Sequence, residues 1–425
     1  MKRAVLLIAV WFALAPCAGR AADDYGYPFQ GEYDSTILGT PDALKAEPPK
    51  KIDIKELVVT VVPGLSKPDV FFYDEGLRAL CAFQDRMAPM IFLIPGAGAN
   101  HRDSKVVAMM QQFYKAGYHV VTLPSPTHPN FIISASRSHI PGEPTEDALD
   151  LYGAMEVIWN RVKGDITVSD FSLGGYSLGA THAAFLAKLD EERKIFSFRK
   201  VLMINPAVNL YNSVNRLEEL LDRIPGGPRR IVAFFNRLLA KFIEFYRRGI
   251  FVEVNNQFFF AIYKAELYSN NEAGGIIGLS YRLTSAGMIF ASDVMANGGY
   301  VVPKNRVLTS TDSLTDYFVV SVHLSFLNYF DEYFYPYFHD KHPDLTREEF
   351  INSLGLRSIE EYLKGSPKFA VMGNENDFIL TSDELDYLRR LFGERIKIYP
   401  RGGHCGNMEY KENVAHMIRA MEPSQ

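Results

Sequence analysis

The stretch Gly175-Tyr176-Ser177-Leu178-Gly179 sets one hydroxyl between two residues that lack side chains. A sharp strand-to-helix turn that presents a serine nucleophile needs such small neighbours, because the tip must pack closely while its hydroxyl stays accessible. A purely structural turn needs them too, so other residues must decide. A serine hydroxyl is a weak nucleophile until a neighbouring base takes its proton. His404 offers an imidazole in the loop Arg401-Gly402-Gly403-His404-Cys405-Gly406, where flanking glycines let the chain bend toward the serine. Asp377, in Gly373-Asn374-Glu375-Asn376-Asp377, offers a carboxylate for the second ring N–H, which would fix the tautomer and stabilise the imidazolium. Glu375 is the rival acid, nearer the preceding strand. Acyl transfer also needs donors for the developing oxyanion, each contributing roughly 3–4 kcal/mol to the transition state. The backbone N–H groups of Ala97, in Pro95-Gly96-Ala97-Gly98-Ala99-Asn100, and of Leu178 are the candidates.

Other reactive side chains have blander readings. His182 follows the serine on the same helix and reads as a core histidine. Asn100 and His101 serve equally as pocket lining or as turn stabilisers, and Cys405 beside His404 reads as packing. His339-Asp340-Lys341-His342 has metal-ligand types, but it sits in a polar stretch ending at Pro343 and reads as a solvated loop. No CxxC or Cys/His zinc spacing occurs, and no metal is expected. Gly96-Ala97-Gly98 fails as a dinucleotide fingerprint, since His101 holds the third glycine position and no acid follows at the required distance. No cofactor is expected.

The elements that must position these groups form a rhythm. Leu57–Val62 is strand-like, and segments near Val70–Tyr73 and Ala79–Phe83 suggest further antiparallel strands. Met90–Ile94, His119–Leu123, residues 170–174 and Val201–Ile204 are short apolar runs, bounded by turn residues and too short for helices. Between them lie helical stretches near Ser104–Ala116, Thr145–Val162 and Ala180–Leu189. The rhythm breaks at Asn205-Pro206 and resumes with the strand Lys368–Met372, the helix Ser382–Phe392, the strand Ile396–Tyr399 and the helix Glu412–Met421. Alternating strands and helices imply a mainly parallel sheet, whose ligands sit beyond the strands' carboxyl ends. Ser177, Asp377 and His404 each follow a predicted strand directly.

Together the GYSLG turn, the PGAGAN loop and the chain order Ser177, Asp377, His404 resemble the α/β-hydrolase superfamily. The resemblance covers residues 57–207 and 367–425. It implies an α/β fold with a mostly parallel sheet of about eight strands flanked by helices, and a serine-hydrolase mechanism. Residues 208–366 would then be a large, mainly helical cap inserted before the last strands. Within it, Ile231, Phe234, Phe235, Leu238, Leu239, Phe242 and Phe245–Tyr246 fall on one helical face, with Arg237, Lys241, Glu244 and Arg248 on the other. A second aromatic run spans Phe318–Phe338. These rings either roof an apolar acyl pocket or form the insertion's own core. The serine at the elbow argues against the relatives that use an aspartate nucleophile there.

Composition bounds the rest. The 425 residues are 47% hydrophobic and 22% charged, with a formal charge of −5. Such a mildly acidic chain lacks the electrostatic footprint of a nucleic-acid binder. Lys2-Arg3, the apolar run Ala4–Ala15 and the small residues Ala18, Gly19, Ala21 and Ala22 read as a signal peptide, residues 1–21, cleaved after Ala21. Losing Lys2, Arg3 and Arg20 takes three positive charges from −5 and leaves −8. The product would be exported, and periplasmic in a Gram-negative host. Leu14-Ala15-Pro16-Cys17 departs from a lipoprotein box at Pro16. Residues 22–56 read as an extended arm. Export would leave Cys81 and Cys405, whose pairing stays open. The leading expectation is a serine hydrolase acting on carboxylic esters, small or lipid-like, with peripheral membrane contact through the basic face Arg229–Arg248 as an accessory idea. A peptidase or amidase, an acyltransferase, and a non-catalytic lipid-binding protein are the alternatives.

Overall fold

The computed structural model describes residues 25–247 and 270–422. The signal-peptide reading, with Cys17 and the Ala21 site, lies outside the described residues, as does Arg248. Eight strands make one sheet: β1 (Lys55–Val59), β2 (Leu77–Ala82), β3 (Ala88–Ile94), β4 (His119–Thr122), β5 (Val168–Tyr176), β6 (Lys200–Ile204), β7 (Phe369–Asn374) and β8 (Ile396–Tyr399). Their order is β1-β2-β4-β3-β5-β6-β7-β8. β2 runs antiparallel to β1 and β4, and every other pairing is parallel.

The apolar runs are unbroken because central parallel strands are covered on both faces and need no polar alternation. Along β3, Met90, Phe92 and Ile94 join one buried cluster while Ile91 and Leu93 join another. That two-residue period sends successive side chains to opposite faces. The helices Pro144–Val162, Leu178–Arg193 and Ser382–Phe392 pack on the first face, through residues such as Met155, Leu186 and Leu388. Ser104–Lys115 and Lys411–Met421 pack on the second, through Met110, Phe113 and Met417.

Two expectations need correction. Val70–Tyr73 is no strand: Asp69–Phe71 is a 3-10 turn after Pro68. Its Val70 and Phe71 plug into a third apolar cluster instead. β-branched and aromatic residues suit a strand, but here burial under a neighbouring layer decided the conformation. Nor is the arm extended throughout, since Glu32–Leu38 is a helix whose Tyr33, Ile37 and Leu38 are buried.

Between β6 and β7 the described chain is helical. Leu210–Glu219, Ile231–Arg247, the long helix Asn270–Ala296, Thr315–His323 and several shorter helices up to Glu360–Gly365 make it up. On Ile231–Arg247, Ile231 and Phe234 are buried while Phe235 is exposed. The remaining face expected there, Leu239 and Lys241 to Tyr246, lies outside the described side chains. The aromatic run winds through Phe326–Tyr329, a π-helical turn at Phe330–Phe334 and the helix Tyr335–Lys341. His339-Asp340-Lys341 is therefore the end of a helix and not a loop. Phe330 and Phe338 are fully enclosed in the third cluster. Among the described residues no helix is long and apolar enough to cross a membrane.

Candidate active site

Ser177 sits where β5 ends and the helix Leu178–Arg193 begins, at φ 54° and ψ −127°. Such angles are sterically costly for an L-residue and persist only where the surroundings impose them. Here they are imposed from both sides. The Ser177 N–H donates to the Ile204 carbonyl at 2.9 Å, and the Ala180 N–H donates back to Ser177 at 3.0 Å. A Cβ on Gly179 would stand 2.2 Å from the Ile94 carbonyl oxygen, and one on Gly175 would stand 2.3 Å from that of Gly179. The two glycines thus let the helix start lie against the ends of β3 and β5.

The loops after β7 and β8 bring in the other two groups. Ser177 Oγ lies 2.8 Å from His404 Nε2. His404 Nδ1 lies 3.0 and 3.1 Å from the two Asp377 oxygens. With the carboxylate facing Nδ1, that nitrogen carries the proton and Nε2 is free to accept one from the serine. Asp377 is itself held, accepting from Asn205 Nδ2 at 2.7 Å and from the Ile379 N–H at 3.2 Å. Burial is the strongest single influence and opposes protonation of His404, but the charge and hydrogen bond of Asp377 together with Cys405 outweigh it. The imidazole is held above its ordinary value of 6.5.

Ala97 and Leu178 both line the cavity that opens on Ser177. Among the described residues neither N–H is paired with a backbone or side-chain acceptor. The Ala97 loop is braced from behind, for the Gly98 N–H donates to Thr127 Oγ1 at 2.8 Å and the Ser125 N–H to the Ala99 carbonyl at 2.9 Å. It is braced from above as well. A Cβ on Gly98, at φ 66°, would fall 1.7 Å from Thr284 Cγ2 of the long helix.

That helix, about 40 Å long, lays Tyr281, Thr284, Ser285 and Met288 along one face, at helical i, i+3, i+4, i+7 spacing. They roof a cavity of about 810 Å³, counting the part open to solvent, whose walls include Leu210, Leu217, Phe334 and Leu354. On the other side of Ser177 a more polar mouth is bounded by Thr36, Asp103, Lys105, Ser280 and His404. The aromatic insertion therefore does both things open to it: Phe326 and Phe334 line the cavity, while Phe330 and Phe338 form a core.

The remaining candidates separate cleanly. Glu375 faces away, in an ion pair with Arg389, its side chain 47% exposed. His182 is fully buried with Nε2 3.1 Å from Asp147. Asn100 accepts from the Arg102 N–H at 2.7 Å, a turn contact, and His101 is buried 2.7 Å from Glu56. Cys81 and Cys405 are both free and buried. Burial pushes the Cys81 thiol up to about 12. Cys405 Sγ stands 3.9 Å from His404 Nε2. Among the described residues no group of three or more His, Cys, Asp or Glu could hold a metal ion. Asn205, Thr127 and Thr36 escaped the sequence reading. Only Asn205 carried a usable signal, since it too stands directly after a strand.

The strand order, the elbow after β5, the acid after β7 and the histidine after β8 define an α/β-hydrolase fold with a serine, a histidine and an aspartate in contact at its carboxyl edge. No protein-family model matches the sequence, and no curated protein matches it. Solved structures are similar at low identity. A thermostable esterase from Pseudomonas putida is 13% identical with a TM-score of 0.42, over 89% of this chain and 84% of its own. Carboxyl esterase 2 from Tuber melanosporum is 12% identical with a TM-score of 0.42, over 91% and 92%. The thioesterase domain of the curacin biosynthetic pathway is 13% identical with a TM-score of 0.36, over 88% and 99%.

Proposed function

We propose that this protein is an exported serine hydrolase that cleaves carboxylic esters with apolar acyl groups. The observation that carries the reading is the 2.8 Å contact of Ser177 Oγ with an Asp377-backed His404, at the floor of an apolar cavity. His404 Nε2 takes the serine proton as Oγ attacks the ester carbonyl. The Ala97 and Leu178 N–H groups receive the oxyanion, and Asp377 holds the imidazolium. His404 then gives its proton to the departing alcohol, leaving an acyl-enzyme. Water, deprotonated by the same nitrogen, then attacks the acyl carbon. His404 returns that proton to Ser177 Oγ as the acyl–oxygen bond breaks, releasing the acid and restoring the serine. The apolar cavity suits the acyl chain, and the polar mouth beside His404 suits the alcohol. The esterase and thioesterase chemistry of the similar structures is compatible with this reading.

Hydrolysis of nitrophenyl esters of increasing acyl length, by the wild type and by Ser177→Ala, is the test. The variant should lose activity by roughly 10⁴-fold or more, and the wild type should gain with chain length before reaching a limit. Equal rates in both proteins would remove Ser177 as the nucleophile. A short-chain optimum would keep the enzyme and remove the apolar acyl preference.

A further inference from the structure

The first described part of the arm that precedes β1, residues 25–40, lies against the histidine loop. In residues 25–30 alternate side chains are buried, and Tyr25 stacks on Tyr399 with centroids 5.1 Å apart. The Arg401 guanidinium donates to the Tyr27 carbonyl at 2.8 Å and also to that of Tyr25. Asn376 bridges the two segments, donating to the Gln30 carbonyl at 3.2 Å and accepting from the Gly403 N–H at 2.9 Å. The helix Glu32–Leu38 then meets the loop so closely that a Cβ on Gly403, at φ 56°, would stand 2.1 Å from the Glu32 carbonyl oxygen. At the centre of this contact the His404 N–H donates to Thr36 Oγ1 at 2.8 Å, while the Thr36 hydroxyl donates to the Glu32 carbonyl at 2.7 Å. Thr36 and Ile37 also border the polar mouth beside Ser177.

We infer that the segment 25–39 is a positioning device for His404, with Thr36 as the residue that sets the height and angle of the imidazole through its backbone. The loop needs such a device because three of the four residues 402–405, Gly402, Gly403 and Cys405, have positive φ. A glycine-rich turn of that kind has wide conformational freedom. The Gly406 N–H to Gly402 carbonyl bond at 3.0 Å and the Asn374 and Asn407 side chains on the Gly403 and Arg401 carbonyls restrain it, but none of them holds the His404 N–H. Asp377 orients the ring, but a ring can keep its carboxylate and still swing away from Ser177 if the backbone beneath it moves. The arm removes that freedom by supplying an acceptor for the His404 N–H and a wall that the two glycines fit against. This inference rests on the hydrolase reading for its kinetic consequence, though not for the contact itself.

The experiment compares wild type, Thr36→Val and Thr36→Ser by steady-state ester hydrolysis, by thermal unfolding and by amide hydrogen exchange at residues 402–406. Valine keeps the shape of threonine and removes the acceptor. A misplacement on the order of 1 Å costs up to about 100-fold in rate. Thr36→Val should lower kcat by roughly 10- to 100-fold with little change in KM, and the His404 amide should exchange faster. Thr36→Ser should restore both. A Thr36→Val protein with wild-type kcat and wild-type exchange would overturn the inference, while one that loses kcat only in step with its folded fraction would overturn it as well. Should the wild type hydrolyse no ester, the hydrolase reading falls on its own, and exchange at His404 still decides the clamp. Faster exchange in Thr36→Val, reversed in Thr36→Ser, supports it, and unchanged exchange sinks it.

Discussion

At the scale of single residues the site is a problem in proton placement. In the proposed mechanism His404 works as a base only when neutral, and the Asp377 carboxylate favours its charged form. The rising limb of kcat/KM against pH should therefore lie above 6.5, the ordinary imidazole value. Asp377→Asn removes the charge, so the limb should move to lower pH while the plateau falls by roughly 10⁴-fold. A limb that stays in place would mean that Asp377 does not act on His404. The same pair affects stability in the opposite sense to an acid's salt bridge. A pKa raised on folding contributes stability that is complete below 6.5 and is lost as pH rises through the folded value. Ser177, Asp377 and His404 were legible because each stands directly after an apolar run. Thr36 was not, for its hydroxyl meets an N–H 368 positions away, and a lone threonine in a Pro- and Gly-rich segment carries no mark of that.

At the scale of elements the decisive piece is the long helix Asn270–Ala296, which roofs the cavity with one face. Met288 lies on that face, a turn beyond Thr284, so filling its place shortens the space left for an acyl chain. Met288→Trp should move the optimum in a nitrophenyl ester series to shorter chains, with short-chain kcat within a few-fold of wild type. An unmoved optimum would place the acyl group elsewhere. A second face fixes the helix to its neighbours. Arg282 donates to Glu218 Oε1 at 3.0 Å and to the Val322 carbonyl at 3.2 Å, with the two charged side chains only 9% and 11% exposed. Removing one partner of a pair so enclosed leaves a charge without compensation, at a cost of about 3–5 kcal/mol. Arg282→Ala should accordingly lower the denaturant midpoint far more than an exposed change such as Arg306→Ala. Equal midpoints would show that the pair is solvated in solution. Elements were well marked where apolar runs had turn residues at both ends, as with Ser382–Phe392 and Ile396–Tyr399. They were misread at Val70–Tyr73, where burial overrode the preference of the residues for a strand.

For the whole molecule, the arm and the carboxyl-terminal loops form one packed unit although they stand at opposite ends of the chain. The proposal of export makes a separate prediction here. Protein recovered from the periplasm or medium of a Gram-negative host should begin at Ala22, as read by intact mass, and should retain the arm from Tyr25 onward. Recovery in the cytoplasm with Met1 in place would end that proposal. The sequence by itself determined the sheet-forming runs, the elbow and the chain order Ser177, Asp377, His404. These follow from local chemistry: an apolar run of strand length, a glycine where a Cβ would clash, a reactive side chain beyond a strand end. Only the tertiary structure decided that Glu375 turns out to solvent, that Cys81 and Cys405 stay apart, and that the N-terminal helix meets the His404 loop. Each of those depends on which distant surfaces meet, and a residue's type does not encode its partner across hundreds of positions.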